Sequence, residues 1–314
     1  MANVEDYLRR WSDAGLIGDE QAERIREFER AIPARQTEDR PGVVEAVLYL
    51  GIAIAAAGAF FLGAENWNQL EPWARIASLA VPAVLTLLAG FALRTLNEPG
   101  YRRAGSAIWL VAVALSAGAV AVVNSESGVD DHYALLIVGV AATLVAAALW
   151  AVSPSHFQLL ALGGALFVLA LGVGNSTDDS SAIVTGMAVF VVGLMGVVLA
   201  ERQLFEPRFT ARAVFGAFAI AGPYIAGADG SVIWAELMVF AVGAALVVLA
   251  VRRDTFTYMV IAVTGMFVGL VTFVFEHLSD TIGVAVSLLL SGAAIIAAVL
   301  LLAGLRSATQ RHRT

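Results

Sequence analysis

What most constrains this chain is a succession of apolar stretches, each about as long as a bilayer is thick. A helix needs roughly 20 apolar residues to cross a hydrocarbon core of about 30 Å. Ten such stretches run near 43–63, 74–93, 106–123, 133–152, 157–174, 181–200, 212–227, 231–251, 256–275 and 281–304. Of the 314 residues, 59% are hydrophobic and 14% charged, against about 25% charged in soluble domains. Lipid is therefore the expected solvent. Backbone polar groups in lipid must be satisfied internally, and at this span length the solution is a helix. The expected fold is all-α: a polytopic transmembrane helical bundle of about ten spans. The seventh span is the weakest, being short and holding Gly222 and Pro223. Pro82 and Pro223 are expected to kink their helices.

Charge placement gives a second, independent reading. All 19 basic residues are arginine, as codon usage in a GC-rich genome favours. With the N-terminus cytoplasmic, 18 of the 19 fall in inner segments. The outer loops carry Glu65, Glu71, Glu126, Asp130, Asp131, Asp178, Asp179, Asp229, Glu276 and Asp280. That is the positive-inside pattern, and it predicts both termini in the cytoplasm. Arg75 is the exception. Glu71-Pro72 reads as a helix start with proline at the first position, which puts Glu71 one turn before Arg75 as its expected partner.

Three segments follow: a cytoplasmic helical hairpin over 1–40, a transmembrane domain over 41–305 and a tail over 306–314. The first forty residues are charged and helical in pattern, unlike a cleavable signal peptide, so the first span is expected to act as an uncleaved anchor. In the hairpin, Val4, Tyr7, Leu8 and Trp11 form one apolar stripe, and Ala22, Ile25, Phe28 and Ile32 another. Gly15 and Gly18 bracket a turn containing Leu16 and Ile17. Two helices this short bury too little surface to stand alone. Leu8, Trp11, Leu16, Ile17, Ile25 and Phe28 are therefore candidates for docking onto the membrane domain, a second copy or a partner protein. The hairpin's many acids, and a net charge of −7, argue against nucleic acid.

No catalytic constellation emerges. Cysteine is absent, which removes disulfides, thiolate metal sites and cysteine nucleophiles. Lysine is absent too, which removes a Walker-type phosphate loop and Schiff-base chemistry. His132, His156 and His277 lie at span edges, and Glu276, His277 and Asp280 read as solvated loop residues without a zinc spacing. Ser153, Ser155 and His156 share a loop lacking a nucleophile elbow. The expectation is a non-enzyme without metal or cofactor, in contact with membrane lipids.

Two groups of polar residues remain as candidate sites. Glu65, Asn66, Trp67, Asn68, Glu71, Trp73 and Arg75 form an outer rim, in which the tryptophans also suit interfacial anchoring. Glu236, Glu45, Ser287 and Ser291 are polar at membrane depth, where an ionisable side chain is a functional candidate by default. Gly265-x-x-x-Gly269 and abundant alanine allow close helix approach.

The hairpin pattern Leu8-x-x-Trp11-x-x-Ala14-Gly15-Leu16-Ile17-x-x-Glu20-Gln21-Ala22-x-x-Ile25 is followed, past one span, by Ala64-Glu65-Asn66-Trp67-Asn68 and Pro72-Trp73-Ala74-Arg75. Over about residues 5–95, this resembles a bacterial family of predicted membrane proteins of unknown function, with a cytoplasmic hairpin and an "AENW" signature after the first span. The resemblance implies a bacterial cytoplasmic membrane and no enzyme chemistry.

One internal echo bears on mechanism. Glu71-Pro72 then Ala74-Arg75 matches Glu206-Pro207 then Ala211-Arg212, each preceded by Ala-Glu. Five intervening spans would give the two halves opposite orientation, as in inverted-repeat transporters. Two readings follow. One is a carrier or exporter of a neutral or amphipathic small molecule, built from five-plus-five inverted halves. The other is a non-transporting membrane subunit or regulator whose hairpin docks a cytoplasmic partner or a second copy.

Overall fold

The computed structural model describes residues 4–31, 67–96, 99–177, 182–228 and 233–282, with isolated helical positions at 286, 289, 292 and 293. The first expected span, most of the tenth, Glu45, Glu65, Asn66, Ser287 and Ser291 lie outside the described residues. Helices α1 (Val4–Asp13) and α2 (Asp19–Ala31) come first, then a single 3₁₀ turn, Trp67–Gln69. Eight long helices follow: α3 (Pro72–Thr95), α4 (Pro99–Glu126), α5 (Asp131–Val152), α6 (His156–Asn175), α7 (Ala182–Glu201), α8 (Arg208–Ala226), α9 (Ile233–Arg253) and α10 (Phe256–Ile282). No strand occurs among the described residues. All eight long helices are long and apolar enough to cross a membrane. They coincide with spans two to nine of the sequence reading, including the seventh.

Two boundaries differ from expectation, each for a local reason. α4 starts at Pro99 rather than near 106, because an arginine-bearing turn is as helical as an apolar one although hydropathy excludes it. α10 continues to Ile282, so Glu276, His277 and Asp280 lie on helix rather than in a loop. No glycine or proline falls between Leu270 and Ile282 to end it. Pro82 and Pro223 both sit inside continuous helices.

The chain divides into two compact units, one holding α1 and α2 and the other holding α3 and α5–α10 with nearly all of α4. In the first unit α1 and α2 touch, and Leu8 and Ala22 are buried. The turn between them follows from its residues. Gly15 takes φ +66°, which lets Leu16 N–H donate to Trp11 C=O at 2.9 Å and Gly15 N–H to Ser12 C=O at 3.0 Å. That pair of bonds is a Schellman stop. α2 restarts at once: Gly18 N–H donates to Gln21 Oε1 at 3.1 Å, half of a capping box.

In the second unit, glycine sets the spacing of the helices. Gly139 of α5 lies on Leu169 of α6, and a Cβ on Gly172 would come within 2.5 Å of Leu136 Cα. Along the α7–α8 seam, Gly186 meets Gly222 and Ala226, Gly193 meets Ala219, and Gly196 meets Phe215. These register pairs make consecutive helices antiparallel, and α8 and α10 parallel through Gly216–Ile261 and Gly265–Ile220. Small residues do this in membranes because dispersion contacts, rather than exclusion of water, drive association. Gly265 and Gly269 do not form one seam: Gly265 faces Ile220 of α8 and Gly269 faces Val239 of α9. Large apolar side chains such as Leu85, Leu88, Leu144 and Leu237 point outward, a surface suited to lipid.

The antiparallel order gathers Arg94, Arg102, Arg103, Arg202, Arg208, Arg212, Arg252 and Arg253 at one end of the bundle. At the opposite end, Arg75 donates to Glu126 Oε1 at 2.8 Å, with both side chains about three-quarters buried. This corrects the expected Glu71–Arg75 pair. Glu71 instead starts α3 with its side chain exposed and uncapping, because packing of α3 on α4 brings the last-turn acid of α4 to Arg75.

Candidate functional site

At the end of the bundle remote from the arginines, α8, α9 and α10 leave a cavity of about 230 Å³. Its lining includes Pro223 and Tyr224 of α8, Glu236 and Val239 of α9, and Gly269 and Thr272 of α10. The sequence builds it in steps. Gly222 lets α8 press on Phe190 of α7, and Pro223 is buried beside it. A Cβ on Gly269 would stand 2.9 Å from Val239 Cγ1, so that glycine lets α9 approach α10.

Three polar groups converge there. Tyr224 Oη and Thr272 Oγ1 share a hydrogen bond at 3.2 Å. Glu236 sits in the first turn of α9, where the helix dipole favours a carboxylate. Both its carboxylate oxygens are shielded from solvent. The site thus offers one acid and two hydroxyls in an apolar wall, a pattern that binds and orients a small solute. A second groove of about 400 Å³, lined by Leu194, Val197, Met238, Val242 and Leu249 among others, is apolar and has nothing to orient one.

Of the intramembrane candidates, the structure brings Glu236 to a cavity. Tyr224 and Thr272 escaped sequence reading; the available signal was a tyrosine directly after an in-span proline and a threonine within an apolar run. The rim residues meet different fates. Trp67 and Asn68 belong to the 3₁₀ turn, Trp73 is exposed, and Arg75 is engaged by Glu126. In the hairpin, Leu8 is buried and Ile17 and Ile25 partly so, while Trp11, Leu16 and Phe28 are exposed.

The arginine-rich end holds a second polar assembly that the sequence reading missed. Glu201 Oε1 accepts from Arg212 Nε at 2.9 Å and from Tyr258 Oη at 3.1 Å. Its Oε2 meets Arg253 Nε at 3.2 Å. One carboxylate thereby ties the ends of α7, α8, α9 and α10. Nearby, Ser155 caps α6 by accepting from Gln158 N–H, and His156 Nδ1 lies 2.6 Å from Thr210 Oγ1. The two Glu-Pro…Ala-Arg links also differ in structure. Arg75 pairs forward with Glu126, whereas Arg212 pairs back with Glu201, and Glu206–Pro207 is a cis peptide.

Fold and site together define a multi-pass helical membrane protein with a polar pocket near one end of its bundle. Residues 9–125 match the model of a family described as "Predicted membrane protein (DUF2157)". Neither the curated proteins nor the solved structures gave a match.

Proposed function

We propose that this protein is a carrier for a small amphipathic solute bearing a cationic or hydrogen-bond-donating group, resident in a bacterial cytoplasmic membrane with both termini inside. The observation that carries this is the convergence of Glu236, Tyr224 and Thr272 on one cavity. A carboxylate among apolar helices attracts a cation strongly because little water screens it. Glu236 therefore moves the expected solute from neutral toward cationic. Pro223 supports the same reading: an in-helix proline removes one backbone bond beside the site, where a carrier needs α8 to bend. The proposal includes no catalytic step, and it does not need two equivalent halves.

The test is efflux of a fluorescent lipophilic amine from proteoliposomes. The expected result is flux above that of protein-free vesicles, lost in Glu236→Gln and reduced several-fold in Tyr224→Phe. Wild-type flux no greater than the blank, or an undiminished Glu236→Gln, refutes it.

A second reading rests on the exposed apolar side chains of the helix pair, with Leu16 72% and Phe28 66% accessible. On this reading the hairpin joins two copies or docks a cytoplasmic partner. Deleting residues 1–31 would then reduce the number of chains in the detergent-solubilised particle, while a carrier without this role keeps both that number and its flux.

A further inference from the structure

At the arginine-rich end, Arg212 and Arg253 share Glu201 and Arg208 donates to Gln203 at 2.8 Å. Arg94 and Arg102 differ, for neither has an acid partner among the described residues. Arg94 is in the last turn of α3, and its guanidinium lies 4.7 Å over the ring of Trp109. That ring is a fixed platform. Trp109 is fully buried, rests on Gly90, donates Nε1–H to Leu87 C=O at 3.1 Å and meets Phe91 edge-on. Arg94 Nη1 is shielded from solvent and has no acceptor among the described residues. The Arg94 side chain lies against Gly105 of α4, where an added Cβ would stand 3.2 Å from Arg94 Cγ, and Arg102 lies one turn before Gly105 on the same helix.

Two arginines on facing helix ends, one with a shielded donor that no described residue answers, make an arrangement that an anion completes. Leaving such a donor unmet is costly. Arginine's planar fork matches phosphate oxygens in particular. The position also fits: Arg94 is in the last turn of an apolar helix long enough to cross a membrane, and the end of such a span meets the lipid headgroups.

We propose that Arg94 and Arg102 form a binding site for an anionic phosphate group at the membrane interface, with Trp109 holding Arg94 in place. A phospholipid headgroup and free phosphate present the same chemistry, and the experiment separates them. The full chain is placed in phosphatidylcholine nanodiscs with or without phosphatidylglycerol, and separately in phosphate-free detergent titrated with inorganic phosphate. Thermal stability and the lipid retained in native mass spectrometry are read for wild type, Arg94→Gln, Arg102→Gln and Arg252→Gln.

The expected result is preferential retention of phosphatidylglycerol, weakened about tenfold in Arg94→Gln and in Arg102→Gln and unchanged in Arg252→Gln. A response to inorganic phosphate, lost in the same two variants, also supports the site and assigns it to the free anion. Arg102 is exposed, so its substitution reports on binding even if Arg94→Gln unfolds. The proposal is overturned if wild type responds to neither probe, or if Arg102→Gln retains the ligand as wild type does.

Discussion

Replacing Glu201 by glutamine strips the charge from an acid that three groups share. Arg212 is 22% exposed and Glu201 11%, so their 2.9 Å contact is screened little and counts as a charge-assisted hydrogen bond of about 1.5–3 kcal/mol. Arg253 is 57% exposed, and an ion pair that open to solvent contributes about 0–1 kcal/mol. Tyr258 is fully buried, but a glutamine oxygen still accepts its proton, so that bond largely survives. Glu201→Gln leaves Arg212 as a mostly buried, uncompensated cation. For fully buried pairs that penalty is about 3–5 kcal/mol; partial exposure of Arg212 brings the expected loss to about 2–3 kcal/mol. The assay is equilibrium unfolding in mixed micelles, run as two double-mutant cycles. Coupling of Glu201 with Arg212 should be about 1–2 kcal/mol, and with Arg253 below about 1 kcal/mol. An equal or larger coupling to Arg253, or a Glu201→Gln cost under about 1 kcal/mol, would refute the burial argument.

Other expectations can be checked by the same unfolding assay. Gly172→Ala should cost about 1–3 kcal/mol, because its Cβ meets the Leu136 backbone, whereas Gly164→Ala, with nothing within 4 Å, should be neutral or stabilising by about 0.5–1 kcal/mol. Asp254 ends α9 at φ +49°, a conformation that strains a residue with a Cβ, so Asp254→Gly should stabilise by about 1 kcal/mol. Arg75→Gln and Glu126→Gln should each destabilise, and the double variant by less than the sum of the two. Topology is open to single-cysteine labelling without background, since the chain has no cysteine. Ser12→Cys and Gln203→Cys should react from the cytoplasm and Ser127→Cys from outside; the same side for all three would refute the expected orientation.

Much of the fold was legible because span length and turn chemistry are local. Twenty apolar residues define a helix in lipid whatever their neighbours are, and α3–α10 lie where apolar length put them. Gly15 and Gly18 marked the hairpin turn because positive φ and an open cap position are properties of single residues. Glu236 was legible as an acid within a span. Its companions were not, since a tyrosine and a threonine 48 residues apart meet only after α8 and α10 pack in parallel.

Sequence by itself therefore determined that this is a helical multi-pass membrane protein, where the eight spans among the described residues lie, and that its arginines alternate with its acids. Only the tertiary structure decided which groups meet. It gave Arg75 to Glu126 instead of Glu71, put Gly265 and Gly269 on different neighbours, and joined four helices at Glu201. The physical reason is that several of these helices, α7 most plainly, are apolar all round. In a soluble protein a polar face would announce which side turns inward. In lipid both sides are equally apolar, and the choice falls to the fit of small residues against particular partners.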